Sequence, residues 1–109
     1  MARTDKLRVV RSTPTQSEFK PSGIPSARLK KIGLTLDEYE AIRLADFEGF
    51  SHEDAARLMN ISRPTFSRVV EKARRKLSEF IVEGKKLVIE GGNVEIVQEE
   101  NKTEKEGSS

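Results

Sequence analysis

FSHEDAARLMNISRPTFSRVVEKARRK, Phe50 to Lys76, spells two helices around a very short corner, and the rest of the chain is read from it. Ala55, Ala56 and Met59 recur on one side of a short helix after Ser51, while Phe66, Val69, Val70, Ala73 and Leu77 mark one face of a longer helix after Ser62. Only Asn60 and Ile61 lie between. So short a connection packs the helices steeply together and needs small residues where the backbones approach, which Ala55 and Ala56 supply. Asn60 stands where a left-handed residue is wanted, a conformation asparagine tolerates better than most non-glycine residues. Ile61 plugs the corner.

Three helix starts are written in the same way. Thr35, Ser51 and Ser62 suit N-caps, flanked by the apolar pairs Leu34 with Tyr39, Phe50 with Ala55 and Ile61 with Phe66. The first two starts carry acids, Asp37 and Glu38 in one, Glu53 and Asp54 in the other, which answer the helix dipole internally. The third has none until Glu71. Its opening, Ser62, Arg63, Pro64, Thr65, leaves the positive end available to an external anion, and a phosphate suits it.

Opposite the apolar face of this third helix, Arg68 and Arg75 share one azimuth, with Ser67 and Lys72 flanking and Glu71 between. A helix lying in the major groove reads base edges with its first two turns, and cations further along reach the backbone. The candidate DNA-contacting set is therefore Ser62, Arg63, Thr65, Ser67, Arg68, Lys72 and Arg75. Arg63, Ser67 and Arg68 are assigned to bases, and Thr65, Lys72 and Arg75 to phosphates. Glu71 either accepts from a cytosine amino group or pairs with Arg75. The competing explanation, a solvated basic surface, does not account for the acid-free start.

Residues 34 to 77, LTLDEYEAIRLADFEGFSHEDAARLMNISRPTFSRVVEKARRKL, resemble the helix-turn-helix of sigma factor region four. With FKPSGIP at 19 to 25 and VEGKKLVIEGG at 82 to 92, the chain is similar over roughly residues 7 to 92 to a small prokaryotic family of predicted DNA-binding proteins, domain of unknown function 134. The resemblance implies a sigma-region-four-like fold and double-stranded DNA as partner. Members of that family often carry cysteines in the amino-terminal segment. This chain has none, so a metal-linked role for that segment has no support.

Composition sets the bounds. One domain is expected of 109 residues, and 35% charged with 6% aromatic residues confines burial to a few short stripes. The absence of cysteine excludes a disulfide framework and a thiolate site. No apolar run reaches membrane-spanning length, and the start lacks a secretory core, so a cytoplasmic protein is expected. Net charge of +2 conceals an asymmetry: residues 1 to 34 hold eight Lys or Arg against two acids, and residues 35 to 50 hold one against five. Positive charge thus gathers on the leading segment and the third helix, the footprint of a polyanion partner.

The expected fold is mostly α, three helices with the third one long, closed by a small C-terminal β-hairpin. Residues 1 to 33 form a basic arm, or a disordered leader, with Phe19 and Ile24 flanking a Pro-Ser-Gly turn that pins it to the core. Residues 34 to 84 are the helix-turn-helix domain. Helix one runs from Leu36 to Glu48, turns Ala41, Leu44 and Ala45 inward, and faces its acids away from DNA. Helix three reaches Glu83 before Gly84, and its stripe of Ala73, Leu77, Phe80 and Ile81 needs a cover. The hairpin of 85 to 97 turns at Gly91-Gly92, pairs Ile89 with Val94 and Leu87 with Ile96, and either packs on helix three of its own or a partner chain or adds a strand from Leu7 to Val10. Residues 98 to 109 read as disordered.

The expected function is sequence-preferring binding of double-stranded DNA in transcription regulation, as a homodimer whose paired heads add half-site contacts. No cofactor or metal is expected: His52, the one histidine, has no second ligand at useful spacing and reads as exposed to solvent. An enzyme is not supported, since no nucleophile and base stand at plausible spacing. The alternative is a protein-interaction module that docks on transcription machinery without reading DNA.

Overall fold

The computed structural model describes residues 7–97, so the expected disordered tail and the first six residues of the leader lie outside the described residues. In chain order come β1 (Arg8–Val10), β2 (Glu18–Phe19), a single 3-10 turn (Ser26–Arg28), β3 (Lys31–Leu34), α1 (Leu36–Ile42), α2 (His52–Met59), α3 (Arg63–Glu83), β4 (Lys86–Ile89) and β5 (Val94–Ile96). No helix among them is long and apolar enough to cross a membrane.

The helix starts follow local chemistry. The Thr35 hydroxyl accepts from the Glu38 backbone N–H while the Glu38 carboxylate accepts from that of Thr35, a reciprocal capping box. Ser51 and Ser62 each accept from the N–H three residues on. Asn60 ends α2 in the left-handed conformation, φ 61° and ψ 43°, and Gly84 ends α3 in the same way. Helix one departs from expectation. Its α-helical part stops at Ile42 and a wider π-turn, Arg43–Phe47, carries the chain on, closed by the Glu48 N–H donating to the Arg43 carbonyl at 2.8 Å. That turn leaves Phe47 81% exposed.

Burial follows the periodic pattern. Phe66, Met59, Val70 and Ala55 are fully buried between α1, α2 and α3 with Ala41 and Leu44. A second cluster joins Ile32, Leu34, Leu87 and Ile89 of the strands to Ala73, with Leu77 and Phe80 packed against it. Ile81 is not covered; it and Val82 stand 72% and 81% exposed. Ile42 packs against both clusters and joins them.

The expected C-terminal hairpin does not form. β4 lies between β3, parallel to it with Ile32 opposite Leu87 and Leu34 opposite Ile89, and β2, antiparallel to it. β5 pairs instead with β1, Val10 opposite Ile96. A parallel pair needs a long crossover, which here is the whole helical segment; it lets both strands bury alternate residues beneath α3, which an isolated hairpin would not. The glycines serve a different purpose from the one expected. Gly91 accepts from the Leu36 N–H at 2.9 Å, and a Cβ on Gly92, φ +104°, would stand 2.9 Å from an Asp37 carboxylate oxygen. The chain therefore crosses close over the start of α1, where a side chain would collide.

The leading segment is accordingly built in rather than a free arm: residues 8 to 34 and 86 to 96 share both sheets. Strand pairing, the fully buried Val10 and the contacts of Arg8 and Arg11 with α1 hold it, whereas Phe19 and Ile24 remain 42% and 40% exposed. The acids of α1 are also placed differently from expectation. Asp37, Glu38 and Glu40 are buried, each neutralised by a cation: Asp37 by Arg8 at 2.6 Å, Glu38 by Lys76 at 2.7 Å, and Glu40 by Arg43 at 2.9 Å. Their charge is answered within the fold.

Burial opposes ionisation of Asp37, but hydrogen bonds from Thr35 and Arg8 outweigh it and hold its pKa below the ordinary 3.8. A carboxylate with a depressed folded-state pKa stabilises fully above its unfolded value, and that stability is lost as pH falls through the folded-state value. Between about pH 5 and about pH 2, unfolding free energy should fall more steeply in the parent than in Asp37→Asn. Equal slopes in urea melts over that range would disprove the assignment.

Candidate nucleic-acid interface

α3 runs for 21 residues, and its two basic populations differ in what they touch. Arg74 holds Asp46 with two nitrogens, at 3.0 and 2.8 Å, and Lys76 reaches Glu38 and the Gly33 carbonyl. The hydrogen bond from Arg74 is the main reason the Asp46 carboxyl sits below its ordinary range, and it raises the arginine in return. These two cations are structural. Arg63, Arg68, Lys72 and Arg75 are exposed and make no ion pair with any described carboxylate. Arg68, Lys72 and Arg75, spaced by four and then three, lie on one side of the helix, as the 3.6-residue period requires.

The opening turn is tied locally. Ser62 accepts from the Thr65 N–H at 3.2 Å and donates to the Thr65 hydroxyl at 2.9 Å, and Arg68 reaches that same hydroxyl at 3.4 Å. Ser62 is thus occupied as a cap, and Thr65 links it to Arg68. No acid lies in the first turn, so the amide end meets only hydroxyls, Arg63 and Pro64.

The face has two flanks. On one, Thr65, Arg68 and Lys72 share a depression of about 480 Å³ with Arg8, Thr35 and Gly92, over the paired Asp37 and Glu38. On the other, Ser67 faces α2: its hydroxyl lies 2.9 Å from Nδ1 of His52, whose ring meets Phe66 edge-on at 5.2 Å. His52 is therefore half-buried and engaged, not solvated as expected, and Ser67 is not a free hydroxyl. Glu71 makes no ion pair with Arg75 among the described residues. Two residues outside the seven-residue set border it. Arg8 enters through β1 pairing with β5, and His52 through a contact across the corner.

The family model described as "Protein of unknown function DUF134" matches residues 1–97. A UPF0251 protein of Thermoanaerobacter sp. strain X514 is 45% identical over 102 residues, covering 94% of this chain and 90% of that protein. UPF0251 proteins of Desulfosudis oleivorans and Chloroherpeton thalassium are 52% identical over 93 residues and 50% over 96, covering 85% and 88% of this chain and 67% and 64% of theirs. No solved structure gives a significant match.

Proposed function

The chain belongs to the DUF134 family, whose description states no function, and from that premise we propose that it is a sequence-preferring binder of double-stranded DNA acting in transcription regulation. α2, the left-handed Asn60 corner and α3 act as a sigma-region-four-like helix-turn-helix, with α3 in the major groove. One observation carries the reading. Within α3, Arg74 and Lys76 are paired to carboxylates, while Arg68, Lys72 and Arg75 on the outer face, and Arg63 in the acid-free first turn, make no ion pair among the described residues. An array of cations without carboxylate partners repels itself, and a phosphate backbone relieves that repulsion while releasing counterions.

Arg63, Ser67 and Arg68 read base edges, and Thr65, Lys72 and Arg75 position the helix on phosphates. Arg68→Ala should cost about 1–3 kcal/mol on the preferred duplex and flatten base preference, whereas Lys72→Ala should weaken every duplex alike and lower the salt slope by about one. Fluorescence anisotropy on duplexes selected from a random pool, at several salt concentrations, separates the two. If both variants match the parent on selected and random duplexes, α3 does not read DNA.

Two heads double the contacts, and the bare Ile81 and Val82 at the end of α3 support a homodimer through that end. Sedimentation that finds only monomer at high micromolar concentration removes this part. Phe47, exposed on the π-turn, favours the second reading, a module docking on transcription machinery. Affinity indifferent to salt and to duplex would decide for it.

A further inference from the structure

We infer that His52 is a positioning residue that sets the hydrogen-bond polarity of Ser67, and with it the base that α3 prefers at that position as pH changes; the inference rests on the DNA-reading function. Ser67 Oγ and His52 Nδ1 stand 2.9 Å apart, and Ser67 has no other hydrogen-bond partner among the described residues. Ser67 is half-buried and lies beside Arg68, Glu71 and Arg75 on the open surface of α3 assigned to base edges. A hydroxyl placed there serves an imidazole and, in the proposed complex, a base edge.

A hydroxyl has one proton to give and two lone pairs to offer. With the imidazole neutral and its Nδ1 accepting, the Ser67 proton is committed inward, and only lone pairs point outward. They suit a donor in the major groove, such as the cytosine amino group. When the imidazole is protonated, Nδ1–H donates to Ser67 and the serine proton turns outward. It then suits an acceptor, such as O6 or N7 of guanine. No atom needs to move far, because the contact survives with its direction reversed.

The edge-on seat on Phe66 holds the ring where this exchange takes place. Near His52 stand Asp46 on the π-turn, ion-paired with Arg74, and Glu53, next to it on α2 and paired with Arg57, while Glu71 lies beside Ser67 on the surface of α3. Among side chains, imidazole is the one whose charge change ordinarily falls between about pH 5 and about pH 8. His52 is the only histidine, so its imidazole signals are unambiguous.

Two measurements on the full chain test this. Long-range proton–nitrogen NMR of the free protein at about pH 8 should show the proton on Nε2 and an accepting Nδ1, and Ser67→Ala should shift the Nδ1 resonance. Selection from a random duplex pool at about pH 8 and about pH 5.5 should move one position from cytosine to guanine, by about fivefold in relative affinity. Ser67→Ala should show neither preference, and His52→Gln should give a preference that ignores pH. A proton on Nδ1 at the higher pH, a parent preference that does not change with pH, or the parent's pH response in His52→Gln overturns the inference alone. If no duplex is retained at either pH while the NMR signature is present, the DNA-reading function falls and takes this inference with it.

Discussion

Alanine at Phe66 should remove about 3–5 kcal/mol of folding stability, a large share of the 5–15 kcal/mol typical of a domain. The ring is fully buried in the cluster that joins α1, α2 and α3, and it carries the edge-on contact with His52. Truncation removes apolar surface and leaves a void that three helices, pinned by their caps and the Asn60 corner, have little freedom to close. Phe66→Leu, which keeps much of the volume, should cost under about 1.5 kcal/mol. Urea melts with an unchanged slope and a shifted midpoint would report the loss as stability, not as a change in the unfolded chain. A cost below about 1 kcal/mol for the alanine would mean that Phe66 does not hold the corner together.

Glu40→Ala should be nearly as damaging, at about 3 kcal/mol, for a different reason. Its side chain is fully buried, grips the Arg43 guanidinium through both oxygens at 3.0 and 2.9 Å, and accepts from the Arg11 backbone N–H at 2.9 Å. Removing the carboxylate orphans a guanidinium that is itself mostly covered, together with a backbone donor where the leading segment docks. Glu48, at 3.3 Å from another nitrogen of Arg43, offsets only part of the loss. Replacing the pair together, Glu40→Leu with Arg43→Met, should cost less than the single alanine change, because no lone charge is left inside. A double-mutant cycle with additive costs would show that the pair is not coupled.

What was legible in the sequence was local. Thr35, Ser51 and Ser62 cap their helices through contacts spanning three residues, and Asn60 and Gly84 take left-handed conformations for reasons that need no partner. The basic side of α3 was legible too, since Arg68, Lys72 and Arg75 follow the helical period. Which cations are free was not: Arg74 and Lys76 look alike until Asp46 and Glu38 arrive from elements far back in the chain. KIGL at 31 to 34 is too short and too interrupted by Gly33 to announce a strand, and its partner comes after three helices. The Gly91-Gly92 pair suits a tight hairpin and a close backbone crossing equally well, and only the presence of Asp37 beneath it discriminates. For the same reason, burial of Asp37, Glu38 and Glu40 was invisible: repulsion was assigned to acids whose cations lie elsewhere.

The order of the three-stranded sheet carries an implication for how the protein is made. β4 is its middle strand yet leaves the ribosome after β2, β3 and every helix, so both neighbours present open edges until Lys86–Ile89 emerges. The helical cluster closes through contacts of short sequence separation and draws all its side chains from residues up to α3. A nascent chain therefore holds its three-helix cluster before it holds the sheet beneath it, and the last strands lock a scaffold whose basic face has already been shaped.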